Sequence, residues 1–569
     1  MSDKFTPAPG QPPVTPEEIE AMRQAVEERR QERAPKPEPA PPPALLGEAV
    51  VTQCERENYL GDGKIYRHFH RGKVVYVHTW EKWLVWMGHH WAVDINSRRA
   101  LSLVEEVAQE YLRVAGIYNR LADPEQNPEL EAKDRSRFEK LRDALNARAK
   151  RCRGTTRAKV LEYVHTGGEE SLAIDGAELD ANPWLLACAN GVIDLETQEF
   201  RAGRLDDYIT LASPTEWRGP AADATPFLRF LREILGDDDQ LVEFMLRFLG
   251  MALFGRQREH KFLVLFGEGG RNGKDTLMGI LRDVLGKDLC SDVAPEMFME
   301  QSFVRDSSKA APDLMRLRGK RVIYASESSK RHRFSSETVK RLTGGNSLSA
   351  RNLNEGNMTE WEMSHTIILL TNALPAAPPD DDAFWTRLLG IELTRRFVDD
   401  PDPSKPEERP KNPDLRDEMR ACSPGILALL VKGFGDYLAS GLQPPPQVKA
   451  FSENYRKDED VVGRFLADCC ELHEESKDAP DHRTQASELR ECFNWWFTQE
   501  VANRVPNPKF LSSAMAKKGI ENRKISSNFY LGVTITPDAR REWDEWKREQ
   551  QEKRQGKSGN KRDQEDFFS

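Results

Sequence analysis

Residues 262–276 read FLVLFGEGGRNGKDT, and they constrain the fold more than any other part of the chain. Five apolar residues lead into a loop with four glycines and Lys274, and the residues after it, TLMGILRDVLG, have the spacing of an amphipathic helix. Glycines let backbone N–H groups approach a phosphate closely at a helix start, where the helix dipole also favours negative charge. The stretch therefore predicts a phosphate-binding loop at the carboxyl end of a parallel strand in an α/β domain.

The loop departs from the usual G-x-x-x-x-G-K-[ST] pattern at two positions. Gly267 lies seven residues before Lys274, and Asp275 replaces the hydroxyl residue that usually holds Mg²⁺. The Asp275 carboxylate would ligate Mg²⁺ directly, whereas Thr276 lies about 100° further round the helix and is a poorer ligand. A Gly-rich turn that binds no ligand is the alternative. The predicted nucleotide contacts are Gly267, Gly269, Gly270, Asn272, Gly273, Lys274, Asp275 and Thr276.

Three downstream residues complete an ATPase pattern. Glu327 follows the apolar strand RVIYAS and would polarise water and help Asp275 hold Mg²⁺, and Asn372 follows TIILLT and would sense the γ-phosphate. Arg387, in DDDAFWTRLLGIEL, is placed to act across a subunit interface, with a plain salt-bridge role as the alternative. Together with Lys274, these residues in this order predict an ATP hydrolase that uses ATP and Mg²⁺.

The stretch PDLMRLRGKRVIYASES…VKRLTGGNSLSAR…TIILLTNALP…DDAFWTRL resembles the superfamily 3 helicases of the phage, plasmid and pox-virus primase-helicase type, a group that includes the satellite-phage alpha primase. Residues 80–94 and 183–217 resemble the domain that precedes the helicase in that family, so the resemblance covers roughly 50–535. It implies an AAA+-like P-loop ATPase that assembles as a homohexameric ring. Such a ring would hydrolyse ATP and translocate on single-stranded DNA to unwind duplex.

Changes in composition divide the chain. Residues 65–95 alternate apolar and polar residues, which predicts strands with a turn at Gly88, and 99–163 have a helical period. The predicted segments are a disordered Pro-rich stretch (1–47), an α+β domain (48–220), the ATPase domain (221–443), a connector (444–485), a winged helix (486–536) and a charged flexible tail (537–569).

Two basic sets are candidates for DNA contacts. The resemblance places KRLTGGNSLSAR next to a hairpin that projects into the ring pore, which implicates Lys340, Arg341 and Arg351 in binding single-stranded DNA. Residues 486–536 have the pattern of two helices followed by a two-stranded wing, which favours duplex binding. Its basic residues are Lys509, Lys517, Lys518, Arg523 and Lys524. Solvated basic faces are the alternative for both sets.

Composition excludes several classes of protein. The net charge of −10 means that any nucleic-acid surface must be local. None of the eight cysteines lies in a C-x-x-C pair, which argues against a zinc ribbon and favours a reducing compartment. No signal core or bilayer-length apolar run is present, which predicts a cytoplasmic location, in a bacterial host if the resemblance holds.

A primase of the zinc type needs a Cys/His ligand cluster, and the spacing of such a cluster is absent. His68, His70 and His78 could form a metal face, but exposed strand histidines fit better. We therefore expect a helicase without primase activity of its own. The tail ends in DQEDFFS, whose Phe567 and Phe568 would dock a primase or another replication protein, or would be a plain disordered tip.

Two other functions remain open. The altered loop also fits a non-hydrolysing DNA-binding initiator that uses the winged helix on a degenerate ATPase scaffold. The other alternative is an ATPase that remodels protein or RNA. ATP turnover separates the helicase from the initiator, and DNA-stimulated turnover excludes the remodelling ATPase.

Overall fold

The computed structural model describes residues 44–565 except 156, 167, 302–309, 327–331, 346, 352, 354–357 and 502–504, and it leaves the side chains of 169 and 552–565 undescribed. An N-terminal unit packs helices against a sheet of order β3-β2-β1-β4. Its helices are α1 (Glu48–Arg56), α2 (Tyr59–His70), α3 (Arg98–Ala122), α4 (Ala132–Arg153) and α5 (Arg157–His165), and its strands are β1 (Val74–Val77), β2 (Lys82–Trp86), β3 (Trp91–Val93) and β4 (Ala173–Ile174). Inside it, the buried Arg148 guanidinium pairs with the buried Asp62 carboxylate.

Residues 65–70 form the end of α2, so the strand predicted there is wrong. Ile65, Tyr66 and His70 are all buried, and this spacing puts them on one face of a helix. Gly72, at φ +79°, follows the helix, and the alternating pattern produces strands only from β1 onward. The turn at Gly88, between β2 and β3, is confirmed.

The three histidines therefore do not share a strand. His68 and His70 lie on α2, and His78 follows β1. Throughout the described residues, no group of three or more His, Cys, Asp or Glu side chains is arranged to hold a metal ion.

A three-stranded antiparallel meander joins the N-terminal unit to the central domain, which contains the glycine-rich loop. It consists of β5 (Leu185–Cys188), β6 (Gly191–Asp194) and β7 (Glu199–Arg201), with a turn at Asn190-Gly191 between its first two strands. After it, the Ser213 and Thr215 hydroxyls both donate to the Val284 carbonyl, at 2.6 and 2.7 Å. These bonds fix the segment to the helix that follows the glycine-rich loop.

The central domain is built on a five-stranded parallel sheet of order β14-β8-β13-β10-β9. Hydrophobic clusters cover both of its faces. The elements are α6 (Thr225–Ile234), α7 (Asp239–Met251), β8 (Phe262–Phe266), α8 (Lys274–Leu285), β9 (Cys290–Asp292), α9 (Pro312–Met315), β10 (Val322–Ser326), α10 (Ser336–Leu342), β11 (Ser347–Ala350), β12 (Thr359–Glu362), β13 (Thr366–Thr371), α11 (Asp382–Trp385), β14 (Leu388–Glu392), β15 (Arg396–Val398), β16 (Glu408–Pro410), α12 (Leu415–Ala421) and α13 (Ser423–Ser440).

Helices α7 and α13 cross at a pair of glycines. A Cβ on Gly250 would lie 2.3 Å from the Phe434 backbone nitrogen, and a Cβ on Gly433 would lie 2.2 Å from the Leu246 carbonyl oxygen. The two backbones therefore touch, and only glycine fits at either position.

The C-terminal part begins with α14 (Pro446–Glu459), whose Phe451 ring fills the space that a Cβ on Gly390 of β14 would need. A separate hydrophobic core follows, and α15, which lies within the segment assigned to the connector, contributes Phe465 and Leu466 to it. The elements are α15 (Val461–Cys469), β17 (Cys470–Leu472), β18 (Arg483–Gln485), α16 (Ala486–Glu500), α17 (Pro508–Lys517), β19 (Asn522–Lys524), β20 (Asn528–Leu531), β21 (Val533–Ile535) and α18 (Pro537–Glu565). Strands β18, β20 and β19 form one antiparallel sheet.

All eight cysteines are buried and free. Within the described ranges, no helix has both the length and the apolar content needed to cross a bilayer.

Candidate active site

The predicted loop lies at the carboxyl edge of the parallel sheet. Strands β8, β13 and β10 run in the same direction, so Gly267, Asn372 and Ser326 meet at this edge. The Gly267 N–H donates to the Thr371 carbonyl at 3.1 Å, which holds the loop beside β13. Ligands of open α/β sheets bind at this edge, outside the carboxyl ends of the strands.

Lys274 is the centre of the cluster. Its side chain is buried, and Nζ donates to the Asn372 Oδ1 at 2.8 Å, to the Gly267 carbonyl at 3.0 Å and to the Asn272 Oδ1 at 3.1 Å. Burial lowers the pKa of Lys274, while the Asp275 carboxylate raises it. The ammonium is thus held at the first turn of α8 by three oxygens from the loop and from the neighbouring strand.

The loop backbone depends on its glycines. Gly269, Gly270 and Gly273 all have positive φ, of 73°, 74° and 84°, and Arg271 is also left-handed at 59°. A Cβ on Gly273 would lie 2.7 Å from the Ile234 Cγ2. The longer loop therefore retains the close-approach geometry that a phosphate requires.

Asn272 makes structural hydrogen bonds that its position in the sequence did not predict. It is buried, and its Nδ2 donates to the carbonyls of Leu393 and Arg395 at 3.1 and 2.9 Å. Its other side-chain atom accepts from Lys274. Asn272 therefore ties the loop to the chain leaving β14, and no local pattern in the sequence could have indicated this contact.

Asp275 and Thr276 are exposed on the first turn of α8. The Ser326 hydroxyl, at the end of β10, donates to the Asp275 Oδ1 at 3.3 Å. A carboxylate beside a hydroxyl is a donor set of oxygens, which suits Mg²⁺. The chemistry of these two side chains therefore fits the predicted metal.

A crevice of about 720 Å³ opens beside Asp275 and Ser326. Its other walls come from α8, β9, β10 and α12, and they are lined by Gly279, Arg282, Asp283, Asp292, Val293, Tyr324 and Arg416. The sequence did not point to these residues. Arg416 in particular comes from a distant helix, so only the fold brings it here.

Arg387 lies at the opposite edge of the sheet from the loop. It immediately precedes β14, whose first residue pairs with Phe262 at the start of β8. One strand length, about 16 Å, thus separates Arg387 from the loop of its own chain. Its Nη1 donates to the Ala383 carbonyl at 2.6 Å.

The other predicted catalytic residue, Glu327, follows β10 but lies outside the described residues. The hairpin that the resemblance predicts next to KRLTGGNSLSAR corresponds to β11 and β12, which pair antiparallel. Lys340 and Arg341 lie on α10, just before this hairpin, and Arg351 follows β11. The Lys340 Nζ bonds to the Asp381 carboxylate at 3.0 Å.

The C-terminal basic set lies on α17 and on the β19–β20 hairpin. Lys509 is exposed at the first turn of α17, and Lys524 is exposed in β19. Three others are paired with acids: Lys517 with Asp380, Lys518 with Asp460, and Arg523 with Glu521 and Asp478.

Parts of the chain are similar in sequence to a family model and to viral proteins. A family model described as D5 N terminal like matches residues 63–236. "Putative helicase L207/L206" of Acanthamoeba polyphaga mimivirus is 30% identical over 344 residues, covering 58% of this chain and 35% of that protein. "Putative primase C962R" of African swine fever virus is 26% identical over 310 residues, covering 51% of this chain and 31% of that protein.

The chain spans about a third of the length of these two curated relatives. Among solved structures, it is similar to the apo structure of the NrS-1 C terminal region (305–718), with a TM-score of 0.42 and 13% identity, covering 84% of this chain and 100% of that chain. The chain is thus similar, over parts of its length, to a family model described as D5 N terminal like and to viral proteins named putative helicases and primases.

Proposed function

We propose that the chain is an ATP-dependent DNA helicase of replication, with an AAA+-like P-loop ATPase domain at its centre. The observation that carries the proposal is the contact of the buried Lys274 ammonium with Asn372 at 2.8 Å, at the carboxyl edge of the parallel sheet. This contact places the loop lysine beside the predicted sensor, so both side chains could reach the γ-phosphate of a bound nucleotide. The strand order of the sheet and the names of the viral relatives support the same proposal.

In this proposal, ATP binds over the loop with Lys274 against its β- and γ-phosphates. Mg²⁺, held by Asp275 and Glu327, would neutralise phosphate charge. Glu327 orients the attacking water. Asn372 senses the γ-phosphate and holds Lys274 in position.

Arg387 acts in trans. Because one strand length separates it from its own loop, it serves the site of a neighbouring subunit. This supports a closed ring, and we propose the homohexamer of the superfamily 3 helicases. An arginine in this role can contribute on the order of a thousandfold in rate.

DNA binds in two places in this proposal. Lys340, Arg341 and Arg351 contact single-stranded DNA beside the β11–β12 hairpin. The helix pair α16–α17 with the β19–β20 hairpin has the layout of a winged helix and contacts duplex through its basic residues.

The decisive experiment measures ATP hydrolysis with and without single-stranded DNA. We expect DNA-stimulated turnover in the wild type and its loss in Lys274→Ala and Glu327→Gln. Lys287→Ala, which removes an exposed lysine just beyond α8, is the control and should keep full activity. No turnover in the wild type would contradict the proposal and favour the non-hydrolysing initiator.

A further inference from the structure

A turn of three aspartates binds basic side chains from three different elements. Residues 380–382 follow Pro378-Pro379 and lead into α11; we call them the acidic turn. Asp380 pairs with Lys517 of α17 at 3.2 Å, and Asp381 pairs with Lys340 of α10 at 3.0 Å. Asp382 pairs with Arg456 of α14.

The second carboxylate of the turn is held firmly. Burial raises the pKa of Asp381, but hydrogen bonds from Ser336 and Lys340 outweigh it and keep the pKa below its usual range. Asp381 also caps α11, because its Oδ1 accepts from the Phe384 N–H at 3.1 Å. The turn therefore presents a fixed negative charge to α10.

The end of α17 is held by a second acid. Lys518, which follows Lys517, pairs with Asp460. Asp460 in turn caps α15 by accepting from the Gly463 N–H at 2.9 Å. Two consecutive lysines of the proposed duplex-binding helix are thus both bound by carboxylates of the same chain.

The same lysines cannot bind a carboxylate and a DNA phosphate at once. The Lys517 and Asp380 side chains are 62% and 30% exposed, and an ion pair that exposed contributes little to stability. A DNA backbone offers several phosphates together and releases counterions on binding. DNA phosphates can therefore displace the carboxylates from these lysines.

We infer that the acidic turn and Asp460 form an autoinhibitory contact: they hold α17 and α10 in the DNA-free protein, and DNA phosphates replace them on binding. The inference rests on the proposed function, because it takes Lys340, Lys517 and Lys518 as DNA contacts. It goes further in linking the two DNA surfaces through one turn, which lies between the sensor Asn372 and Arg387. Loading of duplex on α17 thereby removes one basic partner from the turn that also holds α10.

The test is the affinity of the full chain for a short fluorescent duplex, measured by anisotropy at low and moderate salt. We expect the double variant D380N/D460N to bind about three- to tenfold more tightly than the wild type. Asp382→Asn is the control: it removes one charge from the same turn, as Asp380→Asn does within the double variant, but it frees Arg456, which belongs to neither DNA surface. It should change affinity less than about twofold, a change too small to register as a lost contact.

Two further variants make the outcome decisive. K517A/K518A should weaken duplex binding. Adding D380N/D460N to this variant should not increase its affinity for the duplex, since the acids would have no lysine left to occupy. Equal binding by D380N/D460N and D382N would overturn the autoinhibitory contact while leaving DNA binding intact. Unchanged binding by K517A/K518A would overturn the assignment of α17 to DNA and the inference with it.

Discussion

At the residue scale, the contacts that hold the glycine-rich loop and the end of α17 join residues far apart in the chain. The spacing of glycines before Lys274 identified the loop, and Asn372 was recognised because a polar residue followed an apolar strand. Asn272 donates hydrogen bonds to carbonyls more than a hundred residues away, so no local pattern in the sequence could identify these contacts. The ion pair between Lys517 and Asp380 was hidden for the same reason, as it joins positions 137 apart.

Asp275 offers a direct test of metal binding. If its carboxylate ligates Mg²⁺, Asp275→Asn should raise the Mg²⁺ concentration for half-maximal hydrolysis roughly tenfold, the effect of losing about 1.4 kcal/mol of binding. Thr276→Ala should leave that concentration nearly unchanged, because only Asp275 is bonded to Ser326. Titration of turnover with Mg²⁺ at saturating ATP measures both. The reverse ranking would make Thr276 the ligand.

At the element scale, the long periodic elements agree with the sequence and the short ones depart from it. Strand β8, helix α8 and the helices over 225–254 and 414–440 follow from their apolar periods. The edge strand β9, Cys290–Asp292, was missed because three residues of mixed polarity carry no period. The end of α2 was assigned to a strand, since its buried face includes a polar residue, His70.

The crossing of α7 and α13 provides a packing test. Gly250→Ala should destabilise the protein by about 1–3 kcal/mol, because the added methyl group would overlap the Phe434 backbone. Gly279→Ala, in α8, is the control: nothing lies within 4 Å of its Cβ position. That change should stabilise the helix by up to about 1 kcal/mol. Thermal unfolding compares them, and an equal response of both variants would contradict the close crossing.

At the scale of the whole molecule, the sheet separates two parts of the proposed catalytic machinery. Lys274 lies at one end of the strands and Arg387 at the other, so in the proposed mechanism a complete site would need two subunits. Mixing Lys274→Ala with Arg387→Ala should therefore restore part of the hydrolysis that each variant lacks, because some interfaces then carry both intact residues. Mixtures without activity, in assemblies shown to be mixed by co-purification of one untagged variant with the other tagged variant, would place Arg387 outside catalysis.

Buried histidines in two separate cores give the molecule a pH dependence. Burial lowers the pKa of His365 to about 4 and that of His70 to about 4. Between pH 4 and the ordinary pKa of about 6.5, the unfolded chain binds more protons than the folded chain, so stability is complete above this window and falls as the pH drops through it. Each histidine contributes about 3 kcal/mol to this loss.

His365→Gln should accordingly lower the acid sensitivity of thermal unfolding, so that Tm falls less between pH 7 and pH 5 than in the wild type. The exposed His68 provides the control, and His68→Gln should keep the wild-type fall. An identical fall in all three proteins would mean that His365 does not contribute to the pH dependence.

The burial of every cysteine has a practical consequence. Burial raises the pKa of Cys54 to about 11 and that of Cys290 to about 12, so the reactive thiolate forms of these two are scarce in the folded chain. A thiol reagent such as maleimide should therefore spare the native protein and react only as it unfolds. Ser512→Cys on the exposed side of α17 would then take a single dye without removal of any natural cysteine. The folded chain is in effect already prepared for site-specific labelling.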